Sequence, residues 1–201
     1  MKLMQFVVDN IETFAGVVLQ PEAGPLTDEQ FLELCEQYPD YRIESTAEGD
    51  IIIMPPAHPR TGRRNAAITR QLDTWAETDG RGEAYDSSAG FFLINGARRS
   101  ADSTWVSKER LKGLKSHEAI WHVTPDFVME LRSDSDRMKA LREKMLEWMA
   151  NGVSLGWLIN PKDRTVEIYR AGSATETLIE PAEVHGEGPV AGFVLTMARV
   201  W

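Results

Sequence analysis

A glutamate stands inside a segment that reads as a buried strand. Asp126–Leu131 is rich in strand formers, and Phe127, Val128 and Met129 suggest that both faces of the strand are covered. Val128 and Glu130 share a face on the alternating pattern, so Glu130 does not simply swing to solvent. A carboxylate there is costly unless it is paired or holds a metal. Asp102 sits in a second strand-like run, Ala101–Val106. If the two strands are neighbours, Asp102 and Glu130 converge across a strand spacing of about 4.8 Å. Hard cations such as Mg²⁺ or Mn²⁺ take oxygen ligands, so such a pair is a candidate metal site, with the backbone carbonyl of Leu131 as a third ligand. Lys144 follows on the next predicted helix. It is rotated by only about 40° from Trp148, at the margin of the apolar stripe, where it can reach a carboxylate. Glu44, in an upstream hairpin, is an additional acid. A bound cation that polarises a phosphate and activates a water, with a lysine to orient that water or offset developing charge, is a rationale for phosphodiester hydrolysis.

Three other patterns carry less. Gly152-Val153-Ser154-Leu155-Gly156 matches G-x-S-x-G, but here a helix precedes and a strand follows, the reverse of a nucleophile elbow. His117-Glu118 with His122 has the spacing H-E-x-x-x-H, which turns the second histidine off the helical face a zinc pair needs. Asp126 and Glu130 lie about 13 Å apart along one strand, too far to share a metal. Asp126 is expected to cap the strand entrance.

The elements that position these residues are legible from periodicity. Thr27 and Gln30 form a T-x-x-Q capping box, and Phe31, Leu34, Cys35 and Tyr38 follow on one helical face. Tyr41–Ser45 and Asp50–Met54 read as a hairpin around Ala47-Glu48-Gly49-Asp50. A helix is expected from about Gly62 to Ala76, with strand-like runs at Glu83–Asp86, Gly90–Ile94 and Ala101–Val106. After Asp126–Leu131, Arg137–Asn151 reads as a helix with Met138, Leu141, Met145, Trp148 and Met149 as its stripe and Gly152 at the C-terminal cap position. Leu155–Ile159 and Val166–Tyr169 are further strands, and the tail from Gly192 holds a short apolar piece. The strand–helix–strand unit Asp126–Ile159 predicts a mixed α/β (α+β) fold with a central mixed β-sheet flanked by helices. Residues 1–25 are weakly patterned and read as an arm or edge strand, and residues 26–201 as the domain proper, a single domain overall.

Bulk properties agree. The 201 residues suit one domain with a sizeable core, and 42% hydrophobic with 26% charged residues is the balance of a globular protein. No segment approaches the roughly 20 apolar residues of a membrane span. The lone cysteine, Cys35, excludes an internal disulfide framework and points to a cytoplasmic location. The net charge of −9 argues against a simple nucleic-acid binder, since phosphate contacts need cations. Local charge differs: Arg60, Arg63, Arg64 and Arg70 form one basic cluster, a candidate nucleic-acid contact. Lys108, Arg110, Lys112 and Lys115 form another, with Arg98 and Arg99 just before it.

An ordered set of segments resembles the Uma2 family (DUF820), a branch of the PD-(D/E)xK restriction-endonuclease-like superfamily. The segments are Tyr41–Glu44, Ile53–Pro55 with Thr61–Asn65, Ser100–Asp102, Pro125–Ser133, Glu143–Met145, Asn151–Val153 with Gly156–Pro161, and Val166–Arg170. The resemblance covers about residues 26–201. It implies a restriction-endonuclease-like core, a Mg²⁺-dependent nuclease (hydrolase) site, DNA as partner and a homodimer. It places the first acid at Asp102, the second at Glu130 and an upstream acid at Glu44. The lysine of the strict E-x-K pattern is absent, because Arg132 stands there, and the family pattern moves it to Lys144. The chain has Ala101 where a proline usually precedes the first acid, and Thr61 where many relatives have histidine. Two other functions remain open: a non-catalytic DNA-binding or protein-interaction module, and a metal-dependent enzyme acting on another phosphate substrate.

Overall fold

The computed structural model describes residues 6–8, 17–114 and 121–201; Lys115 and the His117-Glu118 pair lie outside them. In chain order, strands β1 (Phe6–Val8) and β2 (Val17–Pro21) lead to helix α1 (Asp28–Gln37) and the hairpin β3 (Arg42–Ser45) and β4 (Ile51–Met54). Helix α2 (Pro59–Asp79) is followed by β5 (Gly82–Asp86), β6 (Phe91–Phe92), β7 (Arg98–Arg99), β8 (Ser103–Ser107) and the single turn α3 (Lys108–Leu111). Then come β9 (Phe127–Leu131), α4 (Met138–Ala150), β10 (Leu155–Asn160), β11 (Thr165–Arg170), β12 (Glu176–Ile179), β13 (Glu183–His185) and β14 (Val194–Thr196).

Local chemistry explains the elements that matter for the site. The capping box of α1 is complete, with Gln30 N donating to the Thr27 hydroxyl at 3.3 Å and Thr27 N donating to the Gln30 side-chain oxygen at 2.9 Å. Helix α2 starts earlier than the periodicity predicts. His58 is its N-cap, accepting from Arg60 N through Nδ1, and Pro59 fills the first turn, where no intrahelical N–H bond is lost. Thr61 therefore lies within the helix. The run Gly90–Ile94 shortens to the two residues of β6, and the unpredicted β7 pairs with it. Helix α4 ends at Asn151 with Gly152 at a φ of 97°, so the G-x-S-x-G stretch is a helix stop leading into β10.

Two six-stranded sheets result. One is antiparallel throughout, in the order β1-β2-β4-β3-β7-β6, and α1 packs on it through Phe31 and Leu34 against Ile43, Ile51 and Phe92. The other, β12-β11-β10-β9-β8-β5, is mixed: β9 and β10 run parallel across the α4 crossover and the remaining pairs are antiparallel. Helices cover both its faces. Ile68, Leu72 and Ala76 of α2 pack with Phe127, Met129 and Trp157, joined by Phe193, Leu195 and Met197 from the tail. Met145 and Trp148 of α4 pack with Val128 and Leu158 on the opposite face. A Cβ added at Gly156 would sit 2.5 Å from the Met145 methyl, so that glycine permits the close approach of α4. This is an α+β fold with a central mixed sheet flanked by helices. No helix among the described residues is long and apolar enough to cross a membrane.

Candidate active site

Every residue of β9 is buried, and Glu130 keeps 3% of its surface exposed. The antiparallel register of β8 and β9 pairs Ser103 with Met129 and Thr104 with Val128. Extended by one residue, it sets Asp102 opposite Glu130. Asp102 lies one residue before β8 and not within it, at 8% exposure. Having left the ladder, its side chain takes the place of a backbone acceptor: Leu131 N donates to Asp102 Oδ2 at 2.8 Å. Helix α2 grips the same residue twice from positions four apart. Asn65 Nδ2 donates to Asp102 Oδ1 at 2.9 Å, and the Thr69 hydroxyl donates to its backbone oxygen at 3.5 Å.

Glu130 faces α4, as the shared face with Val128 requires. Its Oε1 lies 3.0 Å from Lys144 Nζ and accepts from the Trp148 indole at 2.9 Å. Lys144 also donates to Glu44 Oε1 at 3.1 Å and to the Ser100 carbonyl at 2.7 Å. Burial would lower the Lys144 pKa, but Glu130 and Glu44 outweigh it and hold the amine above its ordinary value, so it is a cation at neutral pH. Burial pushes the Glu130 carboxyl up, aided by Asp102 and Glu44, with Lys144 opposing. Glu44 goes the other way: burial would raise it, but Lys144, Arg99 and Arg42 together hold it below the usual glutamate value.

Three arginines take defined places, among them Arg98 and Arg99, which the sequence showed only as neighbours of the second basic cluster. Arg99 bridges Glu147 at 2.6 Å and Glu44 at 3.3 Å. Arg42 donates to the Ser100 carbonyl at 3.0 Å and stands 3.7 Å from both Asp102 and Glu44. Arg98 is committed to Asp28, Leu26 O and Ser45 on the antiparallel sheet. Around Lys144, four carboxylates (Glu44, Asp102, Glu130, Glu147) therefore meet three cations (Arg42, Arg99, Lys144), an excess of one negative charge.

A cavity of about 470 Å³ opens on this cluster. Asp102, Glu130, Leu131 and Lys144 line it, together with Arg42, Asn65, Thr61, His58 and the Ser133–Asp136 loop. Glu44 does not line it; it lies behind Lys144. Asp126 is elsewhere, accepting from Ser107 N at 2.8 Å and pairing with Arg110 at 2.9 Å, the structural part expected of it. Arg132, at the E-x-K position, turns to Asn160 Oδ1 at 3.2 Å and Asp163 at 3.6 Å, away from the cavity. Among the described residues, no group of three or more His, Cys, Asp or Glu side chains is placed to hold a metal.

The basic clusters separate. Arg60, Arg63 and Arg70 are exposed on α2, the helix whose first turn lines the cavity, and Arg64 beside them is half-buried. Burial above all, and then the neighbouring Arg60 and Arg63, depress the Arg64 pKa, with Asp134 opposing. In the second cluster Lys108 is exposed and Lys115 lies outside the described residues, while the other two cations have partners. Arg110 donates to the Thr124, Pro125 and Gly152 carbonyls, and Lys112 pairs with Glu109.

Reasoning on the sequence gave no site role to Asn65, Arg42, Arg99 or the Trp148 indole. Trp148 carried a signal, since a buried indole needs an acceptor. Asn65 carried one only as part of the Thr61–Asn65 segment.

A comparison with curated proteins finds no match. Among solved structures, the chain is similar to one described as "a putative nuclease belonging to DUF820" from Anabaena variabilis, with a TM-score of 0.74 and 22% identity over 88% of this chain and 97% of that one. A DrdV–DNA complex is similar only at a TM-score of 0.39 and 14% identity, over 59% of this chain and 10% of that one. The model of the Uma2 family, described as "Putative restriction endonuclease", matches residues 28–198. The chain belongs to the Uma2 family, and its fold matches a restriction-endonuclease-like core.

Proposed function

We propose that the protein is a metal-dependent endonuclease that hydrolyses phosphodiester bonds in DNA. The observation that carries this reading is the meeting of Asp102 and Glu130 across β8 and β9, in a cavity that also receives the Lys144 amine.

The donor set suits a hard cation. Both contacts to Glu130 fall on Oε1, leaving Oε2 for a ligand. The Leu131 N–H points to Asp102, and strand geometry turns the carbonyl of the same residue to that side. Asp102, Glu130 and the Leu131 carbonyl would thus hold Mg²⁺ or Mn²⁺. When bound, such an ion polarises the phosphate and lowers the pKa of a coordinated water.

The chain's own groups supply the rest. Lys144 stays protonated, so it is a fixed cation that offsets charge developing on the phosphate; it is not the base. Glu44, Ser100 O and Glu130 fix the amine from three sides. Trp148 and the Asn65–Asp102 bond fix the carboxylates. Arg60, Arg63, Arg64 and Arg70, with the N-terminus of α2, form a cationic flank suited to the DNA backbone despite the overall −9 charge. A homodimer would present one such site to each strand of a duplex.

The cation–carboxylate network favours a second reading. Lys144 and Glu44 are fully paired as they stand, which suits a non-catalytic module that keeps these residues for its core. Incubating purified protein with plasmid and short duplex DNA, with Mg²⁺, with Mn²⁺ and with chelator, separates the two. Metal-dependent cleavage that disappears in Glu130→Ala and Lys144→Ala is the expected result. Equal cleavage by wild type and Glu130→Ala overturns the mechanism, and absence of cleavage on any nucleic acid favours the non-catalytic module.

A further inference from the structure

Two carboxylates and a backbone carbonyl are a sparse ligand set for a hard cation, which takes about six oxygens. The described residues offer no third acid. They do offer an unpartnered oxygen. Asn65 Oδ1 is buried and accepts no hydrogen bond, on a side chain that lines the same cavity as Asp102, Glu130 and Leu131.

The orientation of that amide is fixed by its neighbour. Asn65 Nδ2 lies 2.9 Å from Asp102 Oδ1. Reversing the amide would set two oxygens against each other with no proton between them, so the nitrogen faces Asp102 and Oδ1 faces away from it. No nearby cation satisfies Oδ1: Arg42 reaches towards Asp102 and Glu44, and Lys144 is spent on Glu130, Glu44 and Ser100 O. A buried acceptor left without a donor is unfavourable, and it persists where a ligand supplies the missing partner. An amide oxygen repels a phosphate and suits a cation. The side chain is also held in place, because α2 grips Asp102 at both Asn65 and Thr69.

We propose that Asn65 Oδ1 is a neutral ligand of the divalent cation, completing the set formed by Asp102, Glu130 and the Leu131 carbonyl. Helix α2 thereby joins β8 and β9 in building the centre, and one amide both orients the first acid and binds the ion. The proposal rests on the metal-site reading above.

The test uses Mn²⁺ alone, with no nucleic acid. Affinity is measured by titration calorimetry, and the number of bound waters by water-proton relaxation, for wild type, Asn65→Ala, Asn65→Asp, Asp102→Ala and Glu130→Ala. Thermal unfolding in chelator shows which variants are folded. Expected are Mn²⁺ binding by wild type, loss of at least about tenfold in affinity and a gain of one bound water in Asn65→Ala, and affinity above wild type in Asn65→Asp. Should Asn65→Ala not fold, Asn65→Asp decides: a carboxylate in a ligand position tightens Mn²⁺ binding, and unchanged or weaker binding overturns the proposal. Unchanged affinity and water number in Asn65→Ala, while Asp102→Ala abolishes binding, overturns the role of Asn65 and leaves the metal site standing. No Mn²⁺ binding by wild type, or binding indifferent to Asp102→Ala and Glu130→Ala, overturns the metal site and the Asn65 ligand with it.

Discussion

Replacing Lys144 by methionine keeps the length of the side chain and removes its charge, so it isolates what the amine does. Glu44 survives the change well, because Ser100 N at 3.2 Å and Arg99 at 3.3 Å still hold it. Glu130 does not, since only the Trp148 indole remains. Breaking a buried ion pair on one side costs about 3–5 kcal/mol when the remaining charge stays ionised. Glu130 can escape by taking up a proton, and this makes the cost depend on pH. Burial already raises its folded-state pKa above the ordinary 4.5, and loss of Lys144 removes the strongest opposing influence and raises it further. For an acid with a raised folded-state pKa, the folded form holds a proton the unfolded chain has lost. Its contribution is complete below 4.5 and is lost as pH rises through the folded value, at about 1.36 kcal/mol per pH unit. In Lys144→Met that loss extends to higher pH than in wild type. The expected destabilisation is therefore about 1–2 kcal/mol near pH 5, the worth of the lost hydrogen bonds, growing to about 3–5 kcal/mol at pH 8. Urea unfolding followed by tryptophan fluorescence in EDTA, at intervals from pH 5 to 8, measures the gap. A gap that is constant over this range, or that widens towards acid, refutes the account of Glu130 as the buried charge that Lys144 neutralises.

Further outcomes follow from other contacts. Trp148→Phe deletes the indole donor to Glu130 and should cost about 1.5–3 kcal/mol by urea unfolding, the value of a hydrogen bond to a charged group. Asp126→Asn should lower stability by about 1–3 kcal/mol, because it weakens the ties to Ser107 N and Arg110. Mn²⁺ affinity should be unchanged in that variant, and a loss of affinity would restore Asp126 as a candidate acid. Burial would raise Glu167, but hydrogen bonds from Arg142 and Tyr169 hold it below its ordinary value of 4.5. Its contribution is present above 4.5 and is lost as pH falls through the folded value, so Glu167→Gln should cost about 1 kcal/mol at pH 7 and converge with wild type in acid.

Much of the scaffold was legible because its signals are local. The Thr27–Gln30 box and the stripe of α4 depend on neighbours within one or two turns, and both formed where periodicity put them. The parallel β9–α4–β10 unit follows from chain order alone. The boundaries that moved did so for local reasons given too little weight, such as Pro59 opening α2, or because a strand too short to show a period, β7, is held only by its partners.

The sequence by itself determined that Glu130 lies in a buried strand and that Lys144 lies at the margin of the following helix's apolar stripe. A run of strand formers and a 3.6-residue repeat are properties of the chain read in one dimension. Only the tertiary structure decided which acid meets which. The register of β8 on β9, which pairs Ser103 with Met129 and Thr104 with Val128 across a long intervening segment, sets Asp102 opposite Glu130 and leaves Asp126 to Arg110. It also decided that Glu44 stands behind Lys144 and that Asn65, which lines the same cavity, carries a buried, unpartnered oxygen. Hydrogen-bond satisfaction is a property of the packed molecule: no residue type or spacing shows which donor an amide oxygen lacks until every neighbour has taken its place.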